Sequence, residues 1–183
     1  TGPNESEVYE RFDKIKKSFT SYTNSSKKNG YLDDKTVKAR HKFSNNISEL
    51  RLAPKLVSTM MELVSSRVIL VKKEENIIRK ACIDAGMSKD LFYESFAGNE
   101  TNFDWLKKIK IDKTTKKSLD ACRDEIYYSQ KSLLENQVAM QLTITELKEI
   151  NKKLRQGDRR AKTAKSQMIE ANLRLVISIA KKY

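Results

Sequence analysis

The chain has 183 residues, 33% of them charged, and its net charge of +13 sets 37 lysines and arginines against 24 acids. Five glycines and two prolines punctuate it, so turns are few and elements long. Two scattered cysteines and one histidine cannot supply the four ligands of a structural zinc site, and the longest unbroken apolar run, Val68 to Val71, is far short of a membrane span.

Val8, Phe12, Ile15, Phe19 and Tyr22 recur at spacings of 4, 3, 4 and 3, which predicts a first amphipathic helix. Thr23 to Gly30 is rich in Ser, Asn and Lys, carries no large apolar residue and reads as a loop. Asp33 or Asp34 caps a second helix bearing Val37, Phe43, Ile47 and Leu50. Pro54 breaks that pattern and suits the first turn of a third, long helix. Its stripe is Met60, Val64, Val68, Val71, Ile78 and Cys82, and it ends at Gly86. The Val-Ile-Leu-Val run within it has strand propensity, but the helical rhythm continues on both sides, so helix is expected.

Ser88 caps a short helix with Leu91, Phe92 and Phe96, closed near Gly98. Thr101 or Asn102 opens a short segment around Leu106 and Trp105, the latter expected as a core anchor. From Thr115 to Gln141, the residues Leu119, Cys122, Ile126, Leu133 and Met140 keep a heptad-like seam that also holds Ser129 and Asn136; polar seam residues can set register at some cost in stability. Thr143 or Thr145 starts a helix through Leu147, Ile150 and Leu154, Gly157 marks a break or kink, and a final helix runs from about Arg159 to the end. No period of 20 to 50 residues repeats, which excludes a solenoid. The expected fold is all-α: an irregular bundle of long amphipathic helices with short connecting helices and no sheet.

Catalytic chemistry finds no foothold. The pairs Asp33-Asp34, Glu74-Glu75 and Asp124-Glu125 are adjacent in sequence, so on a helix they diverge and are expected to be solvated. There is no glycine-rich phosphate loop, and His41 has no evident nucleophile partner and is expected at the surface. The sequons at Asn4, Asn24, Asn46 and Asn99 read as chance or as helix caps, since no secretory signal accompanies them. Cys82 and Cys122 on apolar helix positions read as reduced core residues of a cytosolic protein. A non-enzyme without cofactor or metal is expected, which leaves binding as the function class.

The last thirteen residues, Ala171 to Tyr183, are the most informative. As a helix they leave a thin polar strip of Glu170, Arg174 and Ser178 at i, i+4 spacing, with Met168, Leu175 and Ile179 on one flank and Leu173, Val176 and Ile177 on the other. A helix apolar nearly all round needs cover on several sides, so the sequence is expected to be cut through a domain. Its uncovered Leu173 to Ile179 surface then invites self-association, and Leu175→Asp is expected to destabilise the fold by burying an unpaired charge. From Asn151 onward, ten basic residues stand against Asp158 and Glu170, a local net charge of +8. That field favours a polyanion or an acidic protein surface.

The stretch from Ala164 to Tyr183, containing Asn172-Leu173-Arg174-Leu175-Val176 and ending Ala180-Lys181-Lys182-Tyr183, resembles the opening of the second conserved region of primary sigma factors of bacterial RNA polymerase. Arg51-Leu52-Ala53-Pro54-Lys55 and Phe96-Ala97-Gly98-Asn99-Glu100-Thr101 resemble markers of the helical segment inserted between the first and second conserved regions in one branch of that family. Glu149-Ile150-Asn151 through Arg159-Arg160-Ala161-Lys162 fits the joint between them. The resemblance implies a helical insertion over residues 1–150 and the start of the second conserved region over 151–183. In such proteins that region binds the clamp of the polymerase's largest subunit and recognises and melts promoter DNA, and the insertion is linked to clamp contact and promoter release.

The chain ends before the family's clamp-binding and aromatic-rich helices, so the implied role of this stretch is a scaffold for them. Arg155, Arg159, Arg160, Lys162, Lys165, Arg174, Lys181 and Lys182 are the candidate contacts to polymerase or DNA, against the alternative that they solvate an exposed helix edge. A stand-alone helical adaptor and a non-specific DNA-binding bundle remain the alternatives to the sigma reading.

Overall fold

The computed structural model describes residues 4–183. Among them are seven α-helices: α1 (Glu5–Asn29), α2 (Asp34–Ser48), α3 (Pro54–Asp84), α4 (Lys89–Phe96), α5 (Lys113–Ala121), α6 (Arg123–Met140) and α7 (Ile144–Ala180). One 3-10 turn, Trp105–Lys108, lies between α4 and α5, and no strand occurs among the described residues. The fold is all-α, as expected.

Local chemistry sets most helix starts. Side-chain oxygens of Asn4, Asp33, Ser88, Asp112 and Thr143 accept from the first-turn amides of α1, α2, α4, α5 and α7, relieving orphan donors. Pro54 is the first residue of α3, where its missing N–H costs nothing. Gly30 closes α1 at φ +85, a conformation side chains rarely adopt. Gly86, at φ +101 beyond α3, would also bring an added Cβ to 3.1 Å from Thr115 Oγ1.

The apolar core sits where α3, α4, the 3-10 turn, α5, α6 and the start of α7 converge. Val71, Ile78 and Cys82 from α3, Leu133 from α6, and Leu147 and Ile144 from α7 are essentially sealed from water. Phe92, Phe96 and Trp105 form an aromatic cluster with centroids 4.9 to 6.0 Å apart, so Trp105 is the anchor expected. Each such side chain contributes roughly 1.5–3 kcal/mol by leaving water. Burial, then the neighbouring Cys122, pushes the Cys82 thiol up to about 12, so it stays protonated and unreactive. Both cysteines are free.

The α1–α2 hairpin is built differently. Ser25 faces Thr36 (Oγ to Oγ1, 2.9 Å), Asn46 donates to Ser18 Oγ (3.0 Å) and Lys14 pairs with Glu49 (3.7 Å), so the two helices run antiparallel. Its buried residues are the polar Ser18, Thr36 and Asn46, and it contributes none to the buried apolar cluster. It is tied instead to the α6–α7 turn. Tyr22 and Ser26 donate to Gln141 Oε1, and Arg40 donates to Gln141 O (2.9 Å) and pairs with Glu146 (2.7 Å).

Several expectations are corrected. Thr23 to Gly30 is no loop: Thr23–Asn29 forms the last turns of α1, because Ser25 and Ser26 find polar partners in place of an apolar core. The seam from Thr115 to Gln141 is two helices that meet at Cys122, although Leu119, Ile126, Ser129, Leu133 and Asn136 are buried as the spacing required. Met60 is 48% exposed, since no element covers the first turns of α3. Glu75 is not solvated; it pairs with Lys148 across α3 and α7 at 2.5 Å. Asn46 is not a cap but a buried bridge between helices, whereas Asn4 is a cap.

Gly157 does not break the last helix. Ile144–Ala180 is one continuous helix of 37 residues, because glycine in a helix interior costs only about 1 kcal/mol and removes no hydrogen bond. Position 150/151 therefore falls inside α7.

Candidate interaction surface on the last helix

α7 begins with a capping box: Glu146 N–H donates to Thr143 Oγ1 (3.1 Å) while Thr143 N–H donates back to Glu146 Oε2 (2.8 Å). Burial raises the Glu146 pKa, but the hydrogen bonds from Thr143 and Arg40 outweigh it and hold the carboxyl below its ordinary 4.5. Leu147 and Asn151 are buried, Asn151 accepting from Ser65 of α3 (3.3 Å). The helix then leaves the bundle. Every residue from Arg159 to Tyr183 is exposed.

Helical spacing organises this free half. Arg155, Arg159 and Lys162 lie at i, i+4, i+7, and the same rhythm continues through Ile169, Leu173, Val176 and Ala180. One face is thus basic near the bundle and apolar towards the C-terminus. Leu173, Leu175, Val176, Ile177 and Ile179 are all half exposed or more, Leu175 at 61%. The expected destabilisation by Leu175→Asp is therefore corrected: the position has no burial to lose.

All eight candidate contacts are exposed. Lys162 pairs with Asp158 (2.7 Å) and Arg174 with Glu170 (2.5 Å), i,i+4 bridges on a solvated helix that are worth little. Arg155, Arg159, Arg160, Lys165, Lys181 and Lys182 make no ion pair among the described residues. Arg160 lies off the Arg155–Arg159–Lys162 line, and Lys181 and Lys182 follow the end of the helix. The structure thus aligns three of the eight and leaves the rest dispersed.

One feature escaped the sequence. A half-open cavity of about 660 Å³ lies between the segment carrying the 3-10 turn, α5 and α6. Its residues span Phe103 to Gln130 and share no single period, so no spacing rule brings them together. Among the described residues, no group of three or more His, Cys, Asp or Glu side chains is arranged to hold a metal, and no helix is long and apolar enough to cross a membrane.

Residues 1–137 match the family described as the sigma-70 non-essential region. The chain belongs to the sigma-70 family. Over 146 residues, 79% of its length, it is also 35% identical to the RNA polymerase sigma factor RpoD of Neisseria gonorrhoeae. That match spans 23% of the relative, so the chain covers about a quarter of a curated sigma factor. The sigma-70 match ends within α6, and α7 lies beyond it.

Proposed function

We propose that the chain is the helical insertion of a primary sigma factor, residues 1–150, joined to the start of its second conserved region, residues 151–183. The whole protein is a cytoplasmic transcription-initiation subunit that binds core RNA polymerase, directs it to promoter DNA and has no catalysis of its own. The bundle holds α7, and the free half of α7 is the scaffold on which core-binding and promoter-melting elements are mounted. Arg155, Arg159, Arg160, Lys162, Lys165, Arg174, Lys181 and Lys182 contact the polymerase clamp or nucleic acid. The observation that carries this reading is the change along α7 from a sealed Leu147 to a fully exposed basic and apolar half. A 37-residue helix anchored at one end presents that half to partners, and a solvated apolar face of this extent marks an interaction surface.

Pull-down of core polymerase tests it. The chain is expected to retain core enzyme, and deletion of residues 158–183 is expected to lower recovery severely. Equal recovery with and without that segment would move the contact to the bundle. Duplex DNA binding that falls steeply with salt in the absence of polymerase would favour the non-specific DNA-binding alternative.

A further inference from the structure

The cavity between the 3-10 turn, α5 and α6 is outside everything assigned to α7. Its floor is apolar: Leu119 and Ile126 are almost sealed from bulk water, and Leu106, Ile109 and Ile111 form the walls. Gln130, 2% exposed, lies at the inner end with its amide nitrogen committed to Glu100 O (3.3 Å) and Asn102 O (3.1 Å). That donation fixes the amide plane. The cavity thus combines apolar side chains with charged groups and one rigidly held amide, a mixture suited to binding.

Its mouth is cationic and aromatic. Lys107, Lys110, Lys116 and Arg123 line it against Asp104 and Asp120. Lys107 and Asp104 pair at 2.6 Å, and the hydrogen bond and charge of Lys107 hold the Asp104 carboxyl below its ordinary range. Lys110, Lys116 and Arg123 make no ion pair among the described residues. Phe103 and Tyr127 pair at 5.1 Å beside the opening, yet remain 39% and 48% exposed, and Tyr128 next to them is 68% exposed. A small molecule in the cavity would meet Phe103 and Tyr127, which line it, but would leave Tyr128 in water. A polypeptide crossing the mouth would cover all three rings.

We propose that this cavity docks an acidic segment of a partner protein, which inserts a bulky apolar side chain against Leu106, Ile109 and Ile111 while its carboxylates meet Lys110, Lys116 and Arg123. An apolar socket ringed by tyrosine, phenylalanine and arginine is the composition that concentrates binding energy at protein interfaces. The surplus of positive charge around it selects acidic partners and speeds their approach. The proposal does not rest on the role assigned to α7.

Selection of a random displayed peptide library against the full chain decides it. Peptides carrying Phe, Leu or Trp flanked by Asp or Glu are expected to be enriched. They should perturb the emission of Trp105, the single tryptophan, whose neighbours Asp104 and Leu106 line the cavity. Tyr127→Ala and Arg123→Glu each replace an exposed side chain, so both variants should stay folded and melt within a few degrees of the parent. Each should weaken the selected peptides roughly tenfold or more, the effect of losing one interface hot spot. No enrichment, enriched peptides without acidic bias, or binding undiminished in both variants would overturn the proposal. Saturation of the Trp105 signal by dodecanoate when no selected peptide produces it would assign the cavity to small amphipathic anions and overturn it equally.

Discussion

Leu147 and Leu175 are the same residue on the same helix, 28 positions and eight turns apart. The first is 1% exposed and the second 61%. The first half of α7 is held by a capping box, by the Ser65–Asn151 and Glu75–Lys148 links to α3, and by the core. The second half has only its own backbone ladder and two i,i+4 ion pairs. Helix formation and burial are therefore separable along a single element: the backbone bonds are local, whereas burial requires a neighbour. An apolar pattern reports what a surface is suited to touch, and in α7 that suitability outruns the bundle.

A charge placed in each half should separate the two most clearly. Leu147→Asp buries an unpaired carboxylate and is expected to cost about 3–5 kcal/mol. Leu175→Asp is expected to stay within about 0.5 kcal/mol of the parent. Urea unfolding of the two variants measures both, and equal losses would mean that the free half is packed in solution. A smaller effect concerns the exposed face itself. The chain is expected to self-associate through Leu173 to Ile179, and the double variant Leu173→Glu/Ile177→Glu to weaken that association at least about tenfold, or ~1.4 kcal/mol. Sedimentation velocity over a concentration series reads it, and a parent that stays monomeric at high concentration would contradict it.

The anchored half is sharpened through its cap. Thr143→Ala is expected to cost about 1 kcal/mol in thermal unfolding. Because the Glu146 carboxyl is held below its ordinary 4.5 in the folded chain, its contribution is complete above that value and is lost as pH falls through the lowered folded pKa. The stability gap between the parent and Glu146→Gln should therefore close on acidification; a gap independent of pH would remove the charge from the account. The smallest expected effect lies at the junction of the two halves. Gly157→Ala meets no atom within 4 Å of the new Cβ and should raise helix stability by roughly 0.5–1 kcal/mol, read by circular dichroism melting. A loss of stability there would mean that the helix does not run unbroken through Gly157 in solution.

Much of the fold was legible without coordinates. Asp33, Pro54, Ser88 and Thr143 announce helix starts, and the α3 stripe and the Leu119–Leu133 seam name core residues, because capping and periodicity act over a few neighbouring positions. The candidate basic residues were equally visible, and their exposure follows from charge. Misreadings came where local chemistry has a distant answer. Ser25 and Ser26 look like loop residues until Thr36 and Gln141 meet them, and Glu75 looks solvated until Lys148 arrives.

By itself, then, the amino-acid order determined helix class, most helix starts, the positive charge of the final segment and the family resemblance, all carried by short-range preference or by motifs. Only the tertiary structure decided that polar bonds join α1 and α2 beside the Phe19–Phe43–Tyr22 ring contacts, that α7 is unbroken and half free, and that Phe103, Arg123 and Gln130 share one cavity. Those outcomes depend on which surfaces meet across large sequence separations. Meeting is governed by the competition among all available partners for burial and hydrogen bonding, which no single stretch of chain contains.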